Sequence, residues 1–227
     1  MSFDFLIDYY PLLIEGTVIT VLLALLTVLF GTLIGVFVSL IKFYDHHIVG
    51  KVLNKVANGY VAFFRGTPLM IQLYLLYYGL PQLGVQYPSI PGISTAFLVG
   101  VLTLSINSGA YVSEIFRAGI QAVDAGQMEA GRSLGLNQYQ TLKHIILPQA
   151  IKNILPALGN EFIVIIKESA IVSIIGLSDL MYMSDVIRMA TFNPFGVLIV
   201  VAFIYFILTT GLAKLLKILE GRLNQHA

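Results

Sequence analysis

The chain has 227 residues, 57% of them hydrophobic and 11% charged, with a mean hydropathy of +0.86. A soluble domain carries about twice that share of charge, so the composition is that of an integral membrane protein. A formal net charge of +1 offers no global field for nucleic acid, and zero cysteines exclude disulfides, thiolate metal sites and cysteine nucleophiles together.

Asp4, Asp8 and Glu15 open the chain without a basic residue, and residues 16–41 then carry no charge. That run suffices for one tilted span; it is too long for a signal peptide and lacks a basic start, so it is expected to remain in the membrane. Within it, Gly31 and Gly35 have the GxxxG spacing, which either lets a second helix approach closely or faces lipid. Lys42 closes the run, and Asp45, His46, His47, Lys51 and Lys55 follow in a basic loop. Residues 52–64 read as an amphipathic segment lying along the membrane surface. Arg65-Gly66-Thr67-Pro68 marks the turn into a second, aromatic span over 69–80, because proline is tolerated in a first helical turn. An uncharged loop over 81–92 holds three prolines and leads to a third span over 93–115, closed by Arg117. A polar stretch over 124–148 separates this from a fourth span over 150–175. Residues 176–194 carry Asp179, Asp185 and Arg188, and a fifth span over 195–213 ends in Lys214, Lys217 and Arg222. The expectation is an all-α membrane protein of five transmembrane helices, one domain over residues 1–227 without a linker.

In that scheme Lys42, Lys51, Lys55, Arg117, Arg132, Lys143, Lys152, Lys214, Lys217 and Arg222 share one side of the membrane. The other side has Arg188 as its loop cation, against Asp4, Asp8, Glu15, Asp179 and Asp185. A Lys/Arg excess marks the cytoplasmic face, so the N-terminus is expected outside, with the 124–148 stretch and the C-terminus in the cytoplasm.

Charges at membrane depth cost several kcal/mol unless paired or wet, which makes them functional candidates. Along the fourth span Asn153, Asn160 and Lys167 recur every seven residues, as do Glu161 and Glu168, so they share a broad helix face. Glu161 lies roughly 16 Å beyond Ala150, near the bilayer midplane, with no basic residue expected at its depth. In the third span Asn107 falls near the middle, with Ser105, Ser108 and Tyr111 close by. Glu114 lies near the cytoplasmic end, three residues from Arg117 and positioned to pair with it. These groups either hold helices together through interhelical hydrogen bonds or line a hydrated path. On the second reading Ser105, Asn107, Asn160 and Glu161 bind a zwitterion, and Lys167 with Glu168 acts as a gate or structural polar pair. The histidines His46, His47, His144 and His226 show no metal-binding spacing, and no GxxxxGK[ST] loop or catalytic constellation is present.

The 124–148 stretch reads as two short helices. Residues 127–134 are helix formers, Gly135 stands where a left-handed stop is wanted, and Asn137 can cap a second amphipathic helix that ends near Pro148. Glu129-Ala130-Gly131, three residues, Gly135, nine residues and Ile145-Ile146-Leu147-Pro148 together resemble the "EAA" loop of permease subunits of ABC-type importers, with Gly131 in place of the usual alanine. Phe63-Phe64-Arg65-Gly66-Thr67-Pro68-Leu69 and Gly159-Asn160-Glu161-Phe162 are similar to the polar amino-acid branch of that family. The resemblance implies a MetI-like type I importer permease in a bacterial cell membrane, with Glu129, Ala130, Gly131, Gly135, Ile145, Leu147 and Pro148 coupling it to a cytoplasmic ATPase dimer. It also implies a second permease subunit, identical or related, and an extracytoplasmic amino-acid-binding protein. ATP and magnesium are held by the ATPase, and this chain carries no cofactor of its own. The acidic Glu161 favours arginine, lysine or histidine as substrate, with glutamine or glutamate next. An ion-driven secondary carrier is the competing reading, against which the five spans show no inverted repeat; a membrane scaffold without transport activity is the third.

Overall fold

Hydrocarbon leaves a backbone no water to bond with, so a chain this apolar must satisfy its amides within helices. The computed structural model describes residues 3–43 and 48–224, placing Asp45, His46, His47 and His226 outside the described residues. It is helical throughout, apart from turns and an isolated bridge between Ile90 and Ile93. In chain order the α-helices are α1 (Phe5–Phe43), α2 (Ile48–Gly66), α3 (Leu69–Tyr74), α4 (Leu80–Gln82), α5 (Thr95–Gln121), α6 (Gly126–Ser133), α7 (Gln138–Thr141), α8 (Leu147–Glu168), α9 (Leu180–Thr191) and α10 (Pro194–Asn224). Wider π turns at Leu75–Gly79 and Leu142–Ile146 join α3 to α4 and α7 to α8 without interruption, and Ser169–Ile175 tightens into a 3-10 turn after α8.

Among the described residues three helices are long and apolar enough to cross a membrane: Phe5–Lys42, Thr95–Gln121 and Pro194–Gly221. Of these α5 is central, with 61% of its most apolar stretch buried against 33% for α1 and 17% for α10. One side of α1 presents Ile14, Val18, Leu22, Leu25, Leu29, Leu33 and Phe37 outward at helical spacing. On a water-soluble protein such a stripe would drive aggregation; here it is the surface that meets lipid.

Packing replaces the hydrophobic effect as the adhesive between helices in lipid, so close approach matters. The GxxxG spacing serves this end. A Cβ on Gly31 would lie 3.0 Å from the Ser108 side chain, and one on Gly35 would lie 2.5 Å from Val112 Cγ1. Gly109 of α5 answers from the other side, since its Cβ would lie 2.6 Å from Ile34. Small residues thus bring the α1 and α5 backbones together. Leu23, Leu73, Val99, Val172 and Leu177 fill one end of the bundle, while Ala24, Ile165 and Ile166 join α1 to α8.

Two sequence expectations change. The 52–64 segment does not lie apart from the bundle: α2 packs Ala57 and Val61 against Val38 of α1 and Ala110 of α5, leaving Val52, Val56 and Phe63 exposed on its flank. Nor does the second short helix end near Pro148. The backbone remains helical from Gln138 to Glu168, and the π turn at Leu142–Ile146 lies directly before Pro148, which stands in the first turn of α8. A proline lacks the N–H and crowds the carbonyl four residues back; widening the preceding turn removes that conflict.

At the end of the bundle remote from α6, Gly176 takes a left-handed φ of +78° and reverses the chain. Asp179, fully buried, caps α9 by accepting from the Tyr182 amide at 2.9 Å. Gly16 of α1 leaves room for this turn, since a Cβ there would lie 2.8 Å from Leu180 Cα, and the Leu180 amide donates to Thr20 Oγ1 at 3.1 Å.

Candidate functional site

The polar side chains at membrane depth fall into two neighbouring groups, set by the two faces of α5 that Asn107 and Ser108 occupy. Ser108 points toward α1 and α8, where its hydroxyl donates to Glu161 Oε1 at 3.0 Å. Glu161 is half-buried, and among the described residues no Lys or Arg nitrogen lies within salt-bridge distance of it. Asn160, Lys167 and Glu168 are exposed on the same helix, so α8 presents an open polar face. Lys167 and Glu168 form no salt bridge with each other.

Asn107 is engaged elsewhere. Its amide nitrogen donates to Phe64 O at 3.1 Å and to Gln72 Oε1 at 2.9 Å. Gln72 in turn donates to Phe64 O, Thr67 O and Thr67 Oγ1 at 3.0, 3.1 and 2.9 Å. These bonds satisfy carbonyls left free where α2 stops and the extended Pro68 starts α3, a break in the helix beside the middle of α5. Gln72 escapes a reading of the sequence alone; its one signal there is a polar residue in an otherwise apolar, aromatic run. Ser105 is buried, and its hydroxyl has no partner among the described residues. The structure therefore brings Glu161 to Ser108, and Asn107 to the break, rather than gathering Ser105, Asn107, Asn160 and Glu161 around one point.

Glu114 pairs with Arg117 as expected, at 2.7 Å, and also meets Lys42 at 2.8 Å and Arg65 at 3.9 Å. Three cations around one carboxylate tie together α1, α2 and α5, and Arg65 also lies 5.2 Å above the Tyr111 ring. Lys42 and Arg65 are 72 and 49 residues from Glu114, out of reach of a helical spacing argument.

The two-helix knob is built on its glycines. Gly135 has φ +84°, the Gly135 amide bonds to Arg132 O at 3.0 Å, and the Leu136 amide bonds to Gly131 O at 3.1 Å, a complete Schellman stop for α6. Asn137 and Gln140 then exchange side-chain and backbone bonds at 2.9 Å each, a capping box for α7. Gly131 is buried where α6 crosses the following helix; a Cβ there would lie 2.5 Å from Thr141 Cγ2 and 3.1 Å from Ile145 Cδ1. The glycine in Glu129-Ala130-Gly131 is what that contact demands. Glu129 and Ala130 stay exposed, as do Leu147 and Pro148 at the start of α8. Ile145 packs at the crossing.

Residues 31–225 match the family described as binding-protein-dependent transport system inner membrane component. The Rickettsia bellii permease protein GlnP, named for a glutamine transport system, is 43% identical over 97% of this chain and 98% of its own length. The arginine transport system permease protein ArtQ of Bacillus subtilis is 40% identical over 100% of this chain and 99% of its own. Among solved structures, that of an amino acid ABC transporter with histidines is 49% identical and superposes with a TM-score of 0.89, covering 98% of this chain and 100% of the other. An inward-facing form of the MetNI methionine ABC transporter, at 18% identity and a TM-score of 0.75 over 98% and 99% of the two chains, shares the fold.

Proposed function

Because this chain belongs to the family of inner membrane components of binding-protein-dependent transport systems, as an amino-acid ABC permease whose ATPase is a separate subunit, we propose that it forms half of an import path for basic amino acids. The observation that carries this reading is the open polar face of α8, with Glu161 held by Ser108 and, among the described residues, without a salt-bridge partner. A membrane-embedded polar face must meet water or a second protein. A second permease subunit set against α8, identical or closely related, would enclose the path, and Glu161 would take the ammonium or guanidinium of the substrate. Asn160 lies beside it for the remaining polar groups, while Asn107 and Ser105 shape the path through the broken helix. Lys167 and Glu168 line its far end as a gate.

On this reading the chain crosses the membrane five times. The α2–α3 pair forms one discontinuous span and α8 another, more polar than α1, α5 and α10 because it lines the path. The basic residues then put the knob and the C-terminus in the cytoplasm, where α6 and α7 meet the ATPase through Glu129, Ala130, Gly131 and Gly135. Ile145, Leu147 and Pro148 pass the motion on to α8. An extracytoplasmic binding protein delivers the amino acid to the other face. Glutamine or glutamate is the alternative cargo, which the name of the Rickettsia relative favours. Calorimetry of the purified complex against arginine, lysine, histidine, glutamine and glutamate decides. Binding of a basic amino acid that is lost in Glu161→Gln supports the assignment; tight glutamine binding unaffected by that change overturns it.

A further inference from the structure

A groove of about 480 Å³ runs between the knob and the spans, floored by Val36 and Leu40 of α1, Phe116 and Ile120 of α5, and Ile151 of α8. Its walls are almost wholly apolar, and Leu40, 62% exposed, continues the outward stripe of α1, so the groove opens onto the lipid-facing surface. At the end formed by the knob stands Lys143. Among the described residues its ammonium makes no salt bridge, and it lies 6.0 Å from the Tyr139 ring. An unpaired cation at the mouth of an apolar, membrane-facing slot calls for an amphiphile with an anionic head.

We propose that this groove binds an anionic phospholipid of the cytoplasmic leaflet, one acyl chain lying against Val36, Leu40 and Ile120 and the phosphate resting on Lys143. The inference rests on the proposed orientation, which puts Lys143 at the level of the inner headgroups. One surface lysine near an anionic leaflet contributes enough for about a fivefold preference over a zwitterionic lipid. The lipid would bridge α1 and α5 to the knob.

The chain has no tryptophan, so Phe116→Trp adds a fluorophore to the groove that the unsubstituted complex lacks. The complete importer is reconstituted in nanodiscs in which either phosphatidylglycerol or phosphatidylcholine is brominated, and the signal of the unsubstituted complex is subtracted. Brominated phosphatidylglycerol is expected to quench at about fivefold lower mole fraction than brominated phosphatidylcholine. Lys143→Gln should abolish that preference and Lys143→Arg should keep it. Equal quenching by both lipids, or a preference that survives Lys143→Gln, overturns the proposal. Absence of quenching by either lipid also overturns it, since protein would then fill the groove. Should Phe116→Trp fail to assemble, native mass spectrometry counts the phosphatidylglycerol retained per complex with Lys or Gln at position 143. Fewer lipids with Gln support the site, and equal numbers overturn it. ATP-driven uptake is measured on the same complexes reconstituted in sealed vesicles of the same lipids. Its absence in the unsubstituted complex sinks the permease reading, whereas intact uptake without lipid preference sinks the lipid site alone.

Discussion

Gly135→Ala probes the knob through its backbone alone. Gly135 sits at φ +84°, and a Cβ built there meets nothing within 4 Å, so the substitution introduces no clash. Its cost is the left-handed conformation itself, about 1–2 kcal/mol for an L residue. That weakens the local folded-to-open ratio of the α6–α7 turn by a factor of about 5–30. Asparagine visits this region more readily than alanine, and valine far less, so the damage should rank Asn, Ala, Val in rising order. The assay is the complete importer in sealed vesicles, counting labelled amino acid accumulated per phosphate released. Hydrolysis should persist while uptake per ATP falls in that order. Stoichiometry equal to that of the unsubstituted protein in both the alanine and valine variants would refute the claim that a rigid Schellman turn carries the stroke.

Glu161→Gln should lower affinity for arginine far more than for glutamine, because a charge is lost while the Ser108 hydroxyl keeps an acceptor; equal losses for both, by calorimetry, remove Glu161 from the site. Gly35→Leu forces a side chain into a position whose Cβ alone would lie 2.5 Å from Val112 Cγ1 and 3.0 Å from Gly109 O. Overpacking of this kind costs about 1–3 kcal/mol, so the complex should melt several degrees lower, and an unchanged Tm contradicts the close α1–α5 contact. Asp179 lies outside the spans, and burial pushes its carboxyl up to about 7, against the lowering effect of its bonds to the Tyr182 and Met181 amides. A carboxyl raised in the folded state gives stability that is fully present below its ordinary value near 4 and is lost as pH rises through about 7. Asp179→Asn keeps the N-cap without the charge, so it should flatten the Tm profile between about pH 4 and 7; identical profiles would disprove that burial.

Local signals in the sequence carried through to the structure. Gly135 and Asn137 mark the knob because a left-handed stop and an N-cap depend on residues within one turn. Glu114 with Arg117 is likewise a three-residue matter, and Gly31 with Gly35 announces an interface without naming the partner. What could not be read depends on long-range encounters. Asn107 looks like a ligand from its depth alone, yet it serves a helix break 43 residues away, at Phe64. Lys42 reaches Glu114 across 72 residues. Pro148 signals a helix end by its chemistry, and only the π turn before it, a backbone adjustment with no residue signature, lets the helix run on.

That uninterrupted helix has a mechanical corollary. From the Asn137 cap to Glu161 is 24 residues, about 36 Å of continuous helix, with the π turn at Leu142–Ile146 and Pro156 along its length. A tilt of the whole helix by roughly 10° about its Asn137 end would therefore sweep the carboxylate sideways by about 6 Å, comparable to the width of an amino-acid head. Moved as one body, the helix would turn a modest nudge at the knob into a full change of surroundings at the carboxylate, much as an oar turns a small pull into a long arc.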